Sequence, residues 1–256
     1  MIHVALCGAL GRMGSEVART ISEQEDMTLA AAIEAQSHPD LGTKLGETEV
    51  VSDLESQIDR ADVLVDFTDP EGAVEHVSIA AGSSTPAVVG VTGLSNNQME
   101  LIEKASARIP IVYAPNMSVG VNLLFRLVSE AAEILKEGFD FEIVEMHHRM
   151  KKDAPSGTAA KIADILSRVK VDSRKVYGRR GMTGEREPNE IGIHALRGGD
   201  VVGEHRVIFA GDGERLEIGH KVSSRRTFAV GVIKAVRFVT NRSPGLYGMN
   251  DVLGLA

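Results

Sequence analysis

Short runs that are apolar at almost every position, most of them followed by a segment of helical period, constrain this chain more than any other feature. They are IHVALCG (2–8), TLAAAIE (28–34), VLVDFT (63–68), PAVVGVTG (86–93) and PIVYAPN (110–116). Strands without polar alternation need cover on both faces, so the pattern predicts a parallel sheet between helical layers. The intervening helices are expected after the first run, with Met13, Val17 and Ile21 inward, then from Pro70 to about Ala81, and from a Ser95 cap to about Arg108.

The character changes after Asn116. VGVNLLFRLVSEAAEILKEG (119–138) predicts one long helix and FDFEIVEMHHR (139–149) a strand. IGIHALRG, VVGEHRVIFAG and ERLEIGHKVS, separated by turns such as Gly211-Asp212-Gly213, read as successive strands, and a helix follows from Thr227 to Val239. Strands in succession imply an antiparallel or mixed sheet. The fold class is therefore α/β, with a first domain over 1–118 and an α+β domain on a mixed sheet over 119–227. Residues 172–190, rich in Arg, Gly and Glu, are expected to form a long exposed loop.

GALGRMG (8–14) follows the first strand and opens the first helix, with Gly8, Gly11 and Gly14 spaced three apart. A tight turn needs glycine, a pyrophosphate must approach backbone N–H groups closely, and the helix start supplies partial positive charge. Arg12 adds a cation. Glu34 ends the second strand 20 residues after Gly14, near the spacing of an acid that holds an adenine ribose. The domain over 1–118 is thus read as a Rossmann-like dinucleotide-binding domain. Glu34 would repel a 2′-phosphate and Ala35-Gln36-Ser37 offers no cation to offset it, so NADH is expected over NADPH. GVTG (90–93) and APNMSVG (114–120) should border the nicotinamide end, unless Thr92 and Asn116 merely cap their helices.

With 28 basic against 36 acidic residues the net charge is −8, which argues against general nucleic-acid binding. A basic site must be local, and points to a small anionic ligand. One cysteine, Cys7, excludes an internal disulfide and a multi-Cys zinc site. With no secretory leader and no long apolar span, a cytoplasmic location and no membrane partner are expected.

The local cations lie in EMHHRMKKDAPSGTA (145–159). Strand alternation puts Glu145 and His147 on one face, Met146 and His148 on the other. Ser156 has helix-cap character, and the N–H groups of Gly157 and Thr158 would be unpaired donors able to take a carboxylate. Lys151 or Lys152 could pair with that anion or donate a proton. The bland alternative is polar decoration of a strand edge. No metal site is expected, since no ligand spacing recurs. His194, His205 and His220 read as surface or interface residues. The Arg pairs at 179–180 and 225–226 read as solvated charge, although Arg225 or Arg226 could hold a second carboxylate.

The chain resembles the 4-hydroxy-tetrahydrodipicolinate reductase family nearly end to end. The most specific match is EMHHRMKKDAPSGTA; GALGRMG, VDFTDPEG (65–72), GVTGL (90–94), APNMSVGVN (114–122), IGIHALRGGDVVGEH (191–205) and GERLEIGHKVSSRRTFA (213–229) support it in order. The resemblance implies nicotinamide-dependent reduction of a small cyclic dicarboxylate in the diaminopimelate route to lysine. It implies His147 as proton donor or acceptor and Lys151 as second donor, with His148, Ser156, Gly157 and Thr158 on the substrate. The implied cofactor contacts are Gly8, Ala9, Leu10, Gly11, Arg12, Met13, Glu34, Gly90, Val91, Thr92, Ala114, Pro115, Asn116 and Met117. It also implies a homotetramer and a final segment, 228–256, that returns to the nucleotide domain. Ala35 stands where members that use NADPH well often carry Arg, Met117 where some are aromatic, and Leu10 where a smaller residue is usual. The rival readings are another small-substrate dehydrogenase on this scaffold and a non-catalytic NADH-binding sensor.

Overall fold

The apolar runs become strands because their side chains are covered on both faces. In a computed structural model that describes residues 1–255, Val4 to Cys7 of β1 (Ile2–Cys7) are fully buried. α1 (Gly14–Ser22) follows and turns Val17, Ala18 and Ile21 inward. β2 (Met27–Ile33) pairs parallel with β1. A hairpin of β3 (Lys44–Leu45) and β4 (Thr48–Val51) comes next, then a 3-10 turn at Ile58–Arg60. The apolar pattern does not announce the hairpin: in β4 only Val50 is buried, and β4 lies against β2 through just Val50 and Val51.

β5 (Val63–Asp66) runs into α2 (Pro70–Gly82), whose start is set by Asp69 accepting from the N–H groups of Glu71 and Gly72. β6 (Ala87–Val89) leads to α3 (Asn96–Ser106), where Ser95 and Gln98 cap each other's backbone N–H groups in a capping box. Thr92 is therefore not the cap. β7 (Pro110–Tyr113) completes the series.

Two compact units divide the chain, Met1–Val119 with Arg225–Ala256, and Gly120–Ser224. In the second, α4 (Val119–Ile134) ends four residues short of the expected 138, because Glu137-Gly138 turns the chain with Gly138 at φ +77°. β8 (Asp140–His147) then α5 (Gly157–Val169) follow, and α5 buries Ala159, Ile162, Ala163 and Leu166. β9 (Arg174–Tyr177) lies inside the stretch expected as loop. It is short and largely exposed, so it carries no apolar alternation, and its pairing with a neighbour makes it a strand. β10 (Glu190–Arg197), β11 (Gly203–Gly211) and β12 (Glu214–Val222) complete a mixed sheet in the order β12-β11-β8-β10-β9. β8 and β10 are parallel, whereas β11 is antiparallel to both β8 and β12. Phe141, Ile143, Phe209, Val207 and the inner face of α5 share its core.

The chain then re-enters the first unit through α6 (Arg226–Val239), β13 (Gly245–Tyr247) and α7 (Met249–Leu253). The first sheet runs β13-β7-β6-β5-β1-β2-β4-β3, parallel except for the β3–β4 hairpin. Ala229, Val232, Ile233 and Val236 of α6 pack on the same face as Val17 and Ile21. No helix among the described residues is long and apolar enough to cross a membrane.

Candidate active site

In the first unit the glycine loop is shaped by what its glycines exclude. Gly8 has φ of +73°, and a Cβ there would lie 2.9 Å from the Phe67 carbonyl oxygen. A Cβ at Gly14 would lie 2.0 Å from the Gly8 carbonyl oxygen, so the start of α1 touches the loop more closely than any side chain allows. Glu34 stands against this loop: its Oε2 accepts from Leu10 N–H at 2.9 Å. A cleft of about 490 Å³ is lined by Gly11, Arg12 and Met13, by Phe67 and Thr68, by Gly90, Val91 and Thr92, by Pro115, Asn116 and Met117, and by Arg225 and Phe228. Volume and glycine cradle both fit a dinucleotide. Gly8, Ala9 and Ala114 are buried and give the loops their shape rather than lining the cleft. Asn116 Oδ1 accepts from Ser118 N–H, so this residue both organises its turn and faces the cleft.

Next to the loops, Asp66 is fully buried. It accepts from Thr68 N–H (2.8 Å) and Thr68 Oγ1 (2.6 Å), and pairs with His76 Nδ1 at 2.7 Å. These bonds hold the turn between β5 and α2, where Phe67 and Thr68 meet the cleft. Cys7, Asp66 and His76 offer ligand-type atoms within 4.8 Å of one another. Burial first, then the charges of Asp66 and Glu34, push the Cys7 thiol up, which keeps it a poor ligand.

In the second unit, the buried face of β8 begins apolar with Phe141 and Ile143 and ends with Glu145 and His147. His148 lies on the opposite face and is half-buried, so the two adjacent histidines do not share a position. His147 Nδ1 is 2.6 Å from Glu145 Oε2. Arg197, paired in register with His147 across β10, grips Glu145 with two bonds of 2.8 and 2.9 Å. Ser156 N–H donates to Glu145 Oε1 at 3.0 Å, and Ser156 Oγ caps α5 by accepting from Ala159 N–H at 3.2 Å. A Cβ at Gly157 would meet no atom within 4 Å, so the space over that helix start is open. Lys151 Nζ pairs with Asp153 Oδ1 at 2.9 Å, while Lys152 is exposed. The Ala154–Pro155 bond is cis.

Burial would raise the Glu145 carboxyl, but bonds from Arg197, His147 and Ser156 outweigh it and hold it below the usual range. Burial, reinforced by the charges of Lys151 and Arg197, pushes His147 down against the pull of Glu145.

His205 corrects the sequence reading. It is 6% exposed, so it is not a surface residue; its Nε2 is 2.9 Å from Ser156 Oγ, and its ring meets that of His147 edge-on with centroids 5.2 Å apart. His220 faces it across β12 and is half-buried, with Nδ1 shielded and unpartnered. Arg179 is not solvated charge either: it bridges Glu142 (2.9 Å) and Glu190 (3.0 Å). Arg226 pairs with both oxygens of Glu23. Of the pair at 225–226, Arg225 is the one that reaches the cleft.

Comparison with known proteins decides the family. A family model described as "Dihydrodipicolinate reductase, N-terminus" matches residues 2–117, and its "C-terminus" counterpart matches 120–253. The chain belongs to the dihydrodipicolinate reductase family. It is 46% identical over 264 residues to the 4-hydroxy-tetrahydrodipicolinate reductase of Nitrosomonas europaea, covering 99% of this chain and 98% of that one. It is 47% identical over 270 residues to the protein of that name from Methanocaldococcus jannaschii, with 100% and 98% covered. A solved structure described as dipicolinate-bound dihydrodipicolinate reductase from Paenisporosarcina sp. TG-14 superposes with a TM-score of 0.82, at 29% identity and 98% coverage of both chains.

Within this reductase family frame, six residues of the sites had no role assigned from the sequence: Phe67, Thr68, Glu145, Arg197, His205 and Phe228. Glu145 carried a signal, since it alternates with His147 on one strand face. Arg197, His205 and Phe228 carried none, because sheet register and the return of α6 bring them in from distant parts of the chain.

Proposed function

We propose that this protein catalyses the reduction of 4-hydroxy-tetrahydrodipicolinate to tetrahydrodipicolinate, in the diaminopimelate branch of lysine synthesis, within the cytoplasm. One equivalent each of substrate, reduced dinucleotide and proton gives product, oxidised dinucleotide and water. A reduced nicotinamide, when bound, supplies the hydride. Gly8 to Met13, Glu34, Gly90 to Thr92 and Ala114 to Met117 would hold that dinucleotide, with Glu34 on the adenine ribose.

The observation that carries this reading is the open space over Gly157 at the start of α5, set beside a buried imidazole and a lysine in a chain of net charge −8. One ring carboxylate takes the amides of Gly157 and Thr158, with Ser156 and His148 beside it. Lys151, released from Asp153, meets the charge that develops as the ring is reduced and donates a proton there. His147 exchanges a proton through Nε2, its Nδ1 being engaged by Glu145. NADH is the preferred donor, on the strength of Glu34 and Ala35, and the working form is a homotetramer.

Supplying aspartate semialdehyde, pyruvate and the condensing synthase while following dinucleotide oxidation tests the reaction. His147→Ala and Lys151→Ala should each lower kcat by about 100-fold while changing dinucleotide Kd little. Full turnover in both variants, or no oxidation with the cyclic dicarboxylate, would remove the assignment. Sedimentation at micromolar concentration reads the assembly directly, and a monomer would contradict the tetramer.

A further inference from the structure

Glu145 is a buried carboxylate on which three elements converge. His147 and Glu145 lie two residues apart on β8, Arg197 comes from β10, and Ser156 is the cap of α5. We propose that Glu145, gripped by Arg197, is a positioning residue that fixes His147 with its proton on Nδ1 and ties that imidazole to the first turn of α5. The inference rests on the reading of His147 as a proton-exchanging group.

An ionised carboxylate only accepts hydrogen bonds. The 2.6 Å contact therefore requires the hydrogen on His147 Nδ1 in both the neutral and the protonated ring, which leaves Nε2 as the atom that gains and loses the proton. Gly203 keeps that edge of the ring uncovered, since a Cβ there would come within 3.1 Å of Nε2. His205 closes the other side with its edge-on ring. Arg197 can hold Glu145 in only one attitude, because its two nitrogens engage both oxygens and Nη2 also donates to the Asp153 carbonyl at 2.7 Å. The titratable and charged groups facing His147 are thus Glu145 from β8, Arg197 from β10, the imidazole of His205 from β11 and Lys151 from the segment leading to α5.

One consequence separates this role from that of a buried ion pair that merely stabilises the sheet. The second oxygen, Oε1, accepts the Ser156 amide at 3.0 Å, one residue before the proposed anion-binding amides. A single carboxylate then sets both the orientation of the imidazole and the place of the carboxylate-binding turn. A structural ion pair would need neither the Nδ1 bond nor the amide bond.

The test uses the full-length protein labelled with ¹⁵N-histidine, the His147 signals being identified by their loss in His147→Gln. Wild type should show neutral His147 protonated on Nδ1. Glu145→Gln should shift His147 toward the Nε2–H form, lower kcat by about 100-fold, and leave dinucleotide Kd within about 2-fold. The limb of the pH profile that reports His147 should move to lower pH, because a neighbouring negative charge has gone. Glu145→Gln/Arg197→Met removes the unpaired cation and should show the same tautomer and pH changes in a folded protein. An Nε2–H form in wild type, or an unmoved tautomer and pH limb in both variants, overturns the proposal even where turnover falls. Full turnover in His147→Gln would instead remove the proton-exchange reading, leaving the tautomer measurement to decide on Glu145 by itself.

Discussion

Ser156 Oγ lies 2.9 Å from His205 Nε2 and accepts from Ala159 N–H, so the hydroxyl that caps α5 also meets a buried imidazole. The other ring nitrogen, Nδ1, is shielded and finds no partner. Burial foremost, and the neighbouring His147 next, push its pKa down to about 4.

Stability should therefore depend on His205 in a defined pH window. A neutral ring in the folded state and an ordinary ring near 6.5 in the unfolded state mean that the unfolded chain binds more protons between about 4 and 6.5. The contribution is complete above about 6.5 and is lost as pH falls toward 4, with an upper limit of about 3 kcal/mol from the size of the shift. Urea denaturation at a series of pH values reads this slope. His205→Asn should flatten it; a slope that persists in the variant would assign it to another group.

Glu142 governs the segment that follows β9. Burial would raise this carboxyl, but hydrogen bonds from Arg179, His194 and Arg186 bring it down to about 2. Arg186 also reaches Asp140 at 2.6 Å, and its Nη2 donates to the Glu190 carbonyl at 2.7 Å. The contribution is present above the ordinary carboxylate range and is lost as pH falls toward 2. At neutral pH, Glu142→Gln should free residues 178–189 and cost roughly 1–3 kcal/mol. Hydrogen exchange confined to that segment, with β8 and β11 still protected, is the expected pattern. Unchanged protection of 178–189 would deny Glu142 this role.

How much of this was legible in the sequence follows from range. Strands β1, β2, β5, β6 and β7 announce themselves because burial on both faces demands unbroken apolar runs. The caps Ser95 and Ser156 act within three residues and read equally well. β9 and the β3–β4 hairpin are short and exposed, so nothing in their composition reports the pairing that makes them strands. Glu145 and His147 were placed on one face by alternation alone. His205 could not be, since only the antiparallel register of β11 against β8 sets it opposite Glu145, 60 residues away. Arg179 and Arg226 look like solvated charge locally, and their carboxylate partners lie 37 and 203 residues distant.

The return of α6 leaves a mark on the cleft. A Cβ at Gly231 would sit 1.7 Å from the Met117 carbonyl oxygen, so the helix and the Ala114–Met117 loop are in backbone contact. Gly231→Ala must push that loop, with an overpacking cost of about 1–3 kcal/mol. Dinucleotide affinity should fall several-fold although residue 231 does not line the cleft. Calorimetric titration with NADH checks this, and wild-type affinity in a folded variant would detach the loop from dinucleotide binding.

Cofactor choice gives the last expectation. Glu34 Oε2 is occupied by Leu10 N–H, which holds the carboxylate at the glycine loop before any ribose arrives. A charge-assisted hydrogen bond is worth about 1.5–3 kcal/mol, so Glu34→Ala should weaken NADH roughly 10- to 100-fold. Its effect on kcat should be much smaller, because the ribose lies away from the reacting ring. Removal of a fixed negative charge also lessens repulsion of a 2′-phosphate, so the NADPH-to-NADH ratio of kcat/KM should rise. Ala35→Arg should raise it further, since a guanidinium can meet the phosphate with two bonds. Steady-state kinetics with both dinucleotides on wild type and the two variants separates the steps. A wild-type enzyme that clearly favours NADPH, or an Ala35→Arg variant with an unchanged ratio, would place the discriminating charge elsewhere in the cleft, with Arg12 the next residue to substitute.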